Sequence, residues 1–159
     1  MKWYGNLTNR LEEGRQFEEI KPGTDITMYL WSDRKCYYVT EVIDEKHIKV
    51  KPWVVVADRS KAGGMGHQNW VYFKTRKEAN DYLKSFGLEG YIEYTGETAE
   101  EDWVFRYNKW MRRYRCTEEN YCTDREKKSL EKKGYYDRFS DLSGKVSFGV
   151  RDYFYDWEF

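Results

Sequence analysis

The chain is poor in the residues from which most active sites and most secreted folds are built. Its 159 residues hold two histidines, three cysteines and two prolines. His47 and His67 leave little material for a general base or a metal centre, and no nucleophile motif accompanies them. Cys36, Cys116 and Cys122 are odd in number, and the Cys116/Cys122 spacing lacks the CxxC pairing and histidine partners of a zinc site. They read as reduced thiols, with no metal and no cofactor implied. No run of about 18 apolar residues exists, and the opening Met1-Lys2-Trp3-Tyr4-Gly5-Asn6 has no signal-peptide core. The expectation is therefore a soluble, cytoplasmic, non-enzymatic protein without a membrane partner, in which the Asn6-Leu7-Thr8 glycosylation match is empty. Net charge is lacking too. Lys and Arg number 28 against 28 Asp and Glu, so no global field recruits nucleic acid or an acidic membrane, and any anion site must be local.

Leu, Ile and Val are scarce, yet 15 Tyr, 7 Trp and 8 Phe supply large buried area per residue, so the chain must fold on aromatics. Its length suits a single domain, 1–159, with a polar N-terminal arm over 1–25. Thr27 to Trp31 and Cys36 to Ile43 flank a turn at Ser32-Asp33-Arg34-Lys35 and predict a hairpin. His47 to Val56 alternates and then becomes continuously apolar at Trp53-Val54-Val55-Val56, the pattern of a strand end buried on both sides. Asn69 to Phe73, Tyr91 to Tyr94, Trp103 to Tyr114 (turning at Asn108-Lys109) and Lys145 to Phe159 predict further strands. Thr75 with Glu78 forms a capping-box pattern ahead of Ala79, Tyr82, Leu83 and Phe86 at helical spacing, closed by Gly87. Thr123 with Glu126 repeats the pattern, but only Leu130 follows for burial, so that helix should be short and exposed. The fold class is α+β and β-rich: a mainly antiparallel twisted sheet or small barrel, one clear helix at about 75–87 and a second short one at about 123–133. The charged stretch 116–143 reads as an exposed insertion.

Three features carry possible chemistry. Arg59-Ser60-Lys61-Ala62-Gly63-Gly64-Met65-Gly66-His67 combines cations with backbone freedom, the means of holding a phosphate, although it lacks the Gly-Lys-Ser/Thr ending of a P-loop. His67, following the glycines, is better placed for ligand contact than His47, which reads as a solvated imidazole. Arg106, Lys109, Arg112, Arg113 and Arg115 are interleaved with Tyr107, Trp110 and Tyr114, as base stacking and phosphate neutralisation require. The same residues suit plain pairing with the acidic stretch Glu89 to Asp102 across a sheet. The tail, Gly149 to Phe159, places Arg151, Tyr153, Tyr155, Trp157 and Phe159 on one face if extended and Asp152, Phe154, Asp156 and Glu158 on the other. Its aromatic face should lie in a core or interface, with Arg151 free to stack on a planar ligand or fork onto a phosphate.

Four landmarks in order, Gly5-Asn6-Leu7-Thr8-Asn9-Arg10, Trp31-Ser32-Asp33-Arg34, Gly64-Met65 and the Gly149 to Phe159 tail, resemble a family of small phage and prophage proteins. Within it the chain is similar to the Thoeris anti-defence sponge proteins, which sequester cyclic ADP-ribose-type signals. The resemblance implies a non-enzymatic homo-oligomer that buries a cyclic nucleotide or cyclic ADP-ribose-type molecule, with Arg34, Arg59 and Arg151 as the matching arginines. Beside these, His67 and Tyr153 complete the candidate ligand-binding set. The chain departs from the pattern in its Thr75 to Gly87 helix, its 116–143 stretch and the Gly66-His67-Gln68-Asn69-Trp70 that follows Gly-Met. Two other functions stay open: an inhibitor that binds a host defence protein such as a CRISPR effector, and a phosphodiesterase that degrades the signal.

Overall fold

The computed structural model describes residues 20–58, 69–87 and 99–154. Asp25–Tyr29 (β1), Arg34–Asp44 (β2) and His47–Pro52 (β3) run as an antiparallel meander, the expected hairpin extended by one strand. The chain then leaves this sheet. Trp53 still donates its amide to the Cys36 carbonyl at 3.1 Å, and Val54–Ala57 (β4) then pairs with Trp70–Phe73 (β5) in a separate two-stranded sheet. Arg76–Lys84 (α1) follows, after which Glu101–Arg106 (β6) returns to pair with β3. Lys109–Cys116 (β7), Asp124–Lys133 (α2), Tyr136–Asp141 (β8) and Lys145–Phe148 (β9) complete the described elements. The large sheet has seven antiparallel strands in the order β8-β7-β6-β3-β2-β1-β9.

This sheet is open but strongly rolled. Trp110 on β7 and Phe148 on β9 bring their rings to 5.6 Å although four strands lie between them in the sheet order. Register shifts between Val39 and Glu41 and between Val42 and Asp44 supply local bends of the kind that coil a sheet. The two edge strands, β8 and β9, are joined by only residues 142–144, which holds the edges near each other at that end. They do not pair, so the barrel stays unclosed.

Alternation sorts the side chains into two cores. Ile26, Met28, Tyr37, Val39, Ile48, Val50, Trp103, Trp110 and Phe148 fill the inside of the roll. On the outer face Cys36 and Tyr38 are covered by Trp53 and Val55, while Val54 and Val56 point the other way, onto Ala79 and Leu83 of α1. The four residues of β4 are all buried because that strand is the middle layer between the large sheet and the helix.

Both helices sit where their caps place them. Thr75 Oγ1 accepts from the Glu78 amide at 3.2 Å, one half of the expected reciprocal box, and Ala79 and Leu83 are buried. Thr123 and Glu126 form the complete box on α2, and Gly134 ends that helix in the left-handed conformation; no α2 residue is fully buried. The stretch 116–143, expected as an exposed insertion, does contain this exposed helix, but it also supplies β8, whose Tyr136 is buried. The β6–β7 turn falls at Tyr107-Asn108, one residue earlier than expected. Both residues have positive φ, 53° and 60°, the primed turn that matches strand twist. The expected strand at Tyr91 to Tyr94 lies outside the described residues. No described helix is long and apolar enough to cross a membrane.

The link between β8 and β9 tests the rolled geometry. A Cβ on Gly144 would fall inside the Tyr29 carbonyl, a backbone group that cannot swing aside. Gly144→Ala should therefore cost about 1–3 kcal/mol by urea denaturation. An unchanged midpoint would mean that the link is not held against β1.

Candidate functional site

Beyond β9 the chain is fastened along the outer side of β1 and the start of β2. Gly149, at φ 88°, donates its amide to the Asp25 carbonyl at 2.7 Å. The fully buried Thr27 hydroxyl then donates to the Val150 carbonyl at 2.6 Å and accepts from the Asp152 amide at 3.1 Å. Arg34 and Phe154 exchange both backbone bonds, at 2.9 and 3.2 Å. Held this way, side chains 151 to 154 alternate as the extended pattern requires. Arg151 and Tyr153 face the small sheet, while Asp152 and Phe154 face Arg34.

The first pair builds the site. The Arg151 guanidinium lies 4.8 Å from the Trp53 ring centroid and 4.7 Å from that of Tyr72, yet the residue remains exposed. Lys74 brings a second cation to the same indole, with Nζ 5.8 Å from the Trp53 centroid and 5.0 Å from that of Tyr38. Among the described residues neither Arg151 nor Lys74 is paired with a carboxylate. Beneath them Tyr153 packs edge-on to Trp70 at 4.7 Å, and Trp53 Nε1 donates to Asp25 at 3.1 Å, which fixes the indole. Burial pushes the Cys36 thiol up, against the opposing pull of Arg151, and burial likewise raises the Tyr72 phenol. Both groups are neutral at physiological pH, so neither adds an anion beside the two cations; the nearby carboxylates Asp25 and Asp152 are bound to the Trp53 indole and to Arg34.

The candidate residues fare differently. Arg34 is ion-paired with Asp152 and rests near the Tyr29 and Phe154 rings, 5.9 and 5.5 Å from their centroids, so its charge already serves as a clasp on the tail. Tyr153 is buried in the platform. Arg59 and His67 lie outside the described residues, as do Tyr155, Trp157 and Phe159; the segment carrying Arg59 and His67 departs and returns at Asp58 and Asn69, closed by a 2.9 Å backbone bond. Lys74, Trp53 and Tyr72 were not singled out. Nothing in the spacing of the apolar residues around Trp53 points to them.

The basic strand turns out to be largely neutralised. Lys109 pairs with Asp141 at 2.7 Å, Arg112 with Glu101, Arg113 with Asp102 at 2.5 Å and Arg115 with Asp137 at 3.1 Å, all across neighbouring strands. Pairing with the acidic stretch Glu89 to Asp102 holds for Arg112 and Arg113, whereas Lys109 and Arg115 find their carboxylates on β8 instead. His47 is likewise no solvated imidazole. Its Nε2 is 2.6 Å from Asp102 Oδ1 and 3.2 Å from Arg113 Nη2.

Set against protein-family models, curated proteins and solved structures, the chain matches none.

Two measurements check this electrostatic picture. Burial alone would raise the Asp102 carboxyl, but hydrogen bonds from His47 and Arg113 overcome it and hold the group below its ordinary range. Its contribution to stability is then present above the unfolded carboxylate pKa of about 3.9 and is lost as pH falls through the lower folded value. Urea denaturation through this acid range should give a shallower loss for Asp102→Asn than for the native chain. In a thiol-reagent assay, the fully buried Cys36 should react only on unfolding, whereas the half-buried Cys116 and Cys122 react in the native state. Rapid native labelling of all three would contradict the buried position of Cys36.

Proposed function

We propose that this protein is a non-enzymatic, phage-encoded binding protein that sequesters a nucleotide immune messenger, a cyclic ADP-ribose isomer or a cyclic oligonucleotide. The observation that carries the reading is the pair of cations, Arg151 and Lys74, set on one indole and, among the described residues, without a carboxylate on either. A nucleotide offers the complement of such a surface. Its phosphates accept charge-assisted hydrogen bonds from a guanidinium, and its base offers a planar face to an arginine or an aromatic ring. The stacking also holds the Arg151 side chain in place before a ligand arrives, which lowers the entropy cost of binding. The resemblance of the tail and the Trp31-Ser32-Asp33-Arg34 turn to anti-defence sponges supports the same reading and adds the expectation of a homo-oligomer.

Sequestration demands affinity. Competition with a host sensor calls for a nanomolar Kd, about −12 kcal/mol, which requires contacts beyond two cations. The segment holding Arg59 and His67 and a second copy of the chain are the available sources. Purified protein should release a small ultraviolet-absorbing molecule on denaturation, and calorimetry with cyclic ADP-ribose isomers and cyclic di- and trinucleotides should show saturable heat. Arg151→Ala should weaken binding by about tenfold or more while the circular dichroism spectrum is kept. No ligand released and no heat with any member of the panel would end the proposal, and recovery of a cleaved ligand would replace it with the phosphodiesterase.

A second reading, direct inhibition of a host defence protein, draws on Trp31, Tyr107 and Tyr121, which are 94%, 77% and 99% exposed. Aromatics are the residues that anchor interfaces. Stoichiometric retention of one host protein, without a released small molecule, would favour it.

A further inference from the structure

Away from the tail, the helix that buries none of its own residues forms one wall of a groove whose other wall is β8. Two hollows of about 460 and 420 Å³ open at the rim of the roll, but the groove beside α2 is chemically different. It comprises hollows of about 600 and 340 Å³ that share Arg125, Ser129, Asp137 and Phe139. On the helix wall, Arg125, Lys128 and Lys132 recur with Ser129 at intervals of three and four, so one face of α2 is a cationic row. On the strand wall, Tyr135, Asp137 and Phe139 alternate onto one face. Arg115 lies 3.9 Å from the Tyr135 ring centroid and Arg106 lies 4.0 Å from that of Phe139.

The carboxylates in this groove are committed elsewhere, and the helix cations are not. Glu126 accepts from Arg138 and from the Thr123 amide, which pull its carboxyl down to about 2. Asp137 is held by Arg115 at 3.1 Å. Among the described residues Arg125, Lys128, Lys132 and Arg106 have no carboxylate partner. The groove thus offers uncompensated positive charge on one side and arginine-stacked aromatic rings on the other. An acidic peptide would use the charge alone. A nucleic acid uses both, and only a single strand leaves its bases free to stack.

We propose that the groove between α2 and β8 binds single-stranded nucleic acid, with Arg125, Lys128 and Lys132 on phosphates and the Tyr135 and Phe139 side, with its stacked arginines, against bases. The site is separate from the Arg151 platform, and neither requires the other. It gives a use to α2 cations that have no carboxylate partner among the described residues, on a helix that contributes no buried residue to a core.

Fluorescence anisotropy of the full chain with a short labelled uridylate oligonucleotide tests it. Binding should weaken with salt at a log–log slope of about −2, as three phosphate contacts on a single strand predict. Lys128→Glu with Lys132→Glu should reduce affinity by about tenfold or more, and Phe139→Ala should reduce it while leaving the weak binding of polyglutamate unchanged. Absence of saturable binding at low salt would overturn the proposal. So would oligonucleotide binding that is indifferent to Phe139→Ala or to the helix charge reversals, or polyglutamate bound as tightly as the oligonucleotide.

Discussion

Cys36, Tyr37, Tyr38 and Val39 are consecutive in β2 and all buried, so this strand must be covered on both faces. The rest of the chain is arranged to supply the two covers. Tyr37 and Val39 face inward, and the roll of the large sheet closes over them with Trp103, Trp110 and Phe148. Cys36 and Tyr38 face outward, where a seven-stranded sheet has nothing to offer them. The second cover is therefore built from pieces that abandon the main sheet: β4, which leaves at Trp53, and the tail, which delivers Tyr153. Fully burying one aromatic side chain is worth on the order of 2 kcal/mol, which is why a strand pair and a terminal segment are diverted to this face.

That second cover also determines where exposed charge can persist. Over β6, β7 and β8 the arginines meet Glu101, Asp102 and Asp137 across the strands, and such pairs neutralise one another in place. Beside the aromatic cover the carboxylates have other partners, Asp25 on the Trp53 indole and Asp152 on Arg34. Arg151 and Lys74 are held by ring faces, an interaction that fixes the position of a cation without cancelling its charge. The same distinction separates Arg106, held over the Phe139 ring, from Arg112 and Arg113, which are paired with carboxylates. Aromatic abundance in this protein does two jobs, since it replaces aliphatic core and it holds cations in an uncompensated state.

Local patterns were legible to the extent that local physics set them. The Thr75 and Thr123 caps, the β1–β2 hairpin (although its turn ends at Asp33, with Arg34 and Lys35 already in β2), the doubly buried Val54 to Val56 and the alternation of Arg151 to Phe154 follow from spacing alone. What spacing does not carry is partner choice. Nothing between His47 and Ala57 says that the strand changes sheets at Trp53, because Pro52 and Trp53 are compatible with either continuation. Nor does the charge-rich composition of 116–143 reveal that it contains an edge strand, since edge strands are themselves rich in charge. Arg34 and Arg151 look alike as arginines beside aromatics. The tail's turn back across β1 gives Asp152 to one and Trp53 to the other.

The tail's attachment has a thermodynamic consequence for any ligand of the platform. Arg151 is positioned by the segment around it, and that segment is held through Thr27, the Arg34–Asp152 pair and the Arg34–Phe154 backbone bonds. These few fastenings are also what keep Tyr153 over Cys36. A ligand that needs Arg151 in this place binds only the fastened state, so its binding energy adds to the stability of the outer core by mass action. Conversely, each fastening lost lowers the population competent to bind and weakens apparent affinity without touching the ligand. For a ligand of that kind, fold and binding would be coupled at this point, because one four-residue stretch, Arg151 to Phe154, carries both the fastenings and the cation.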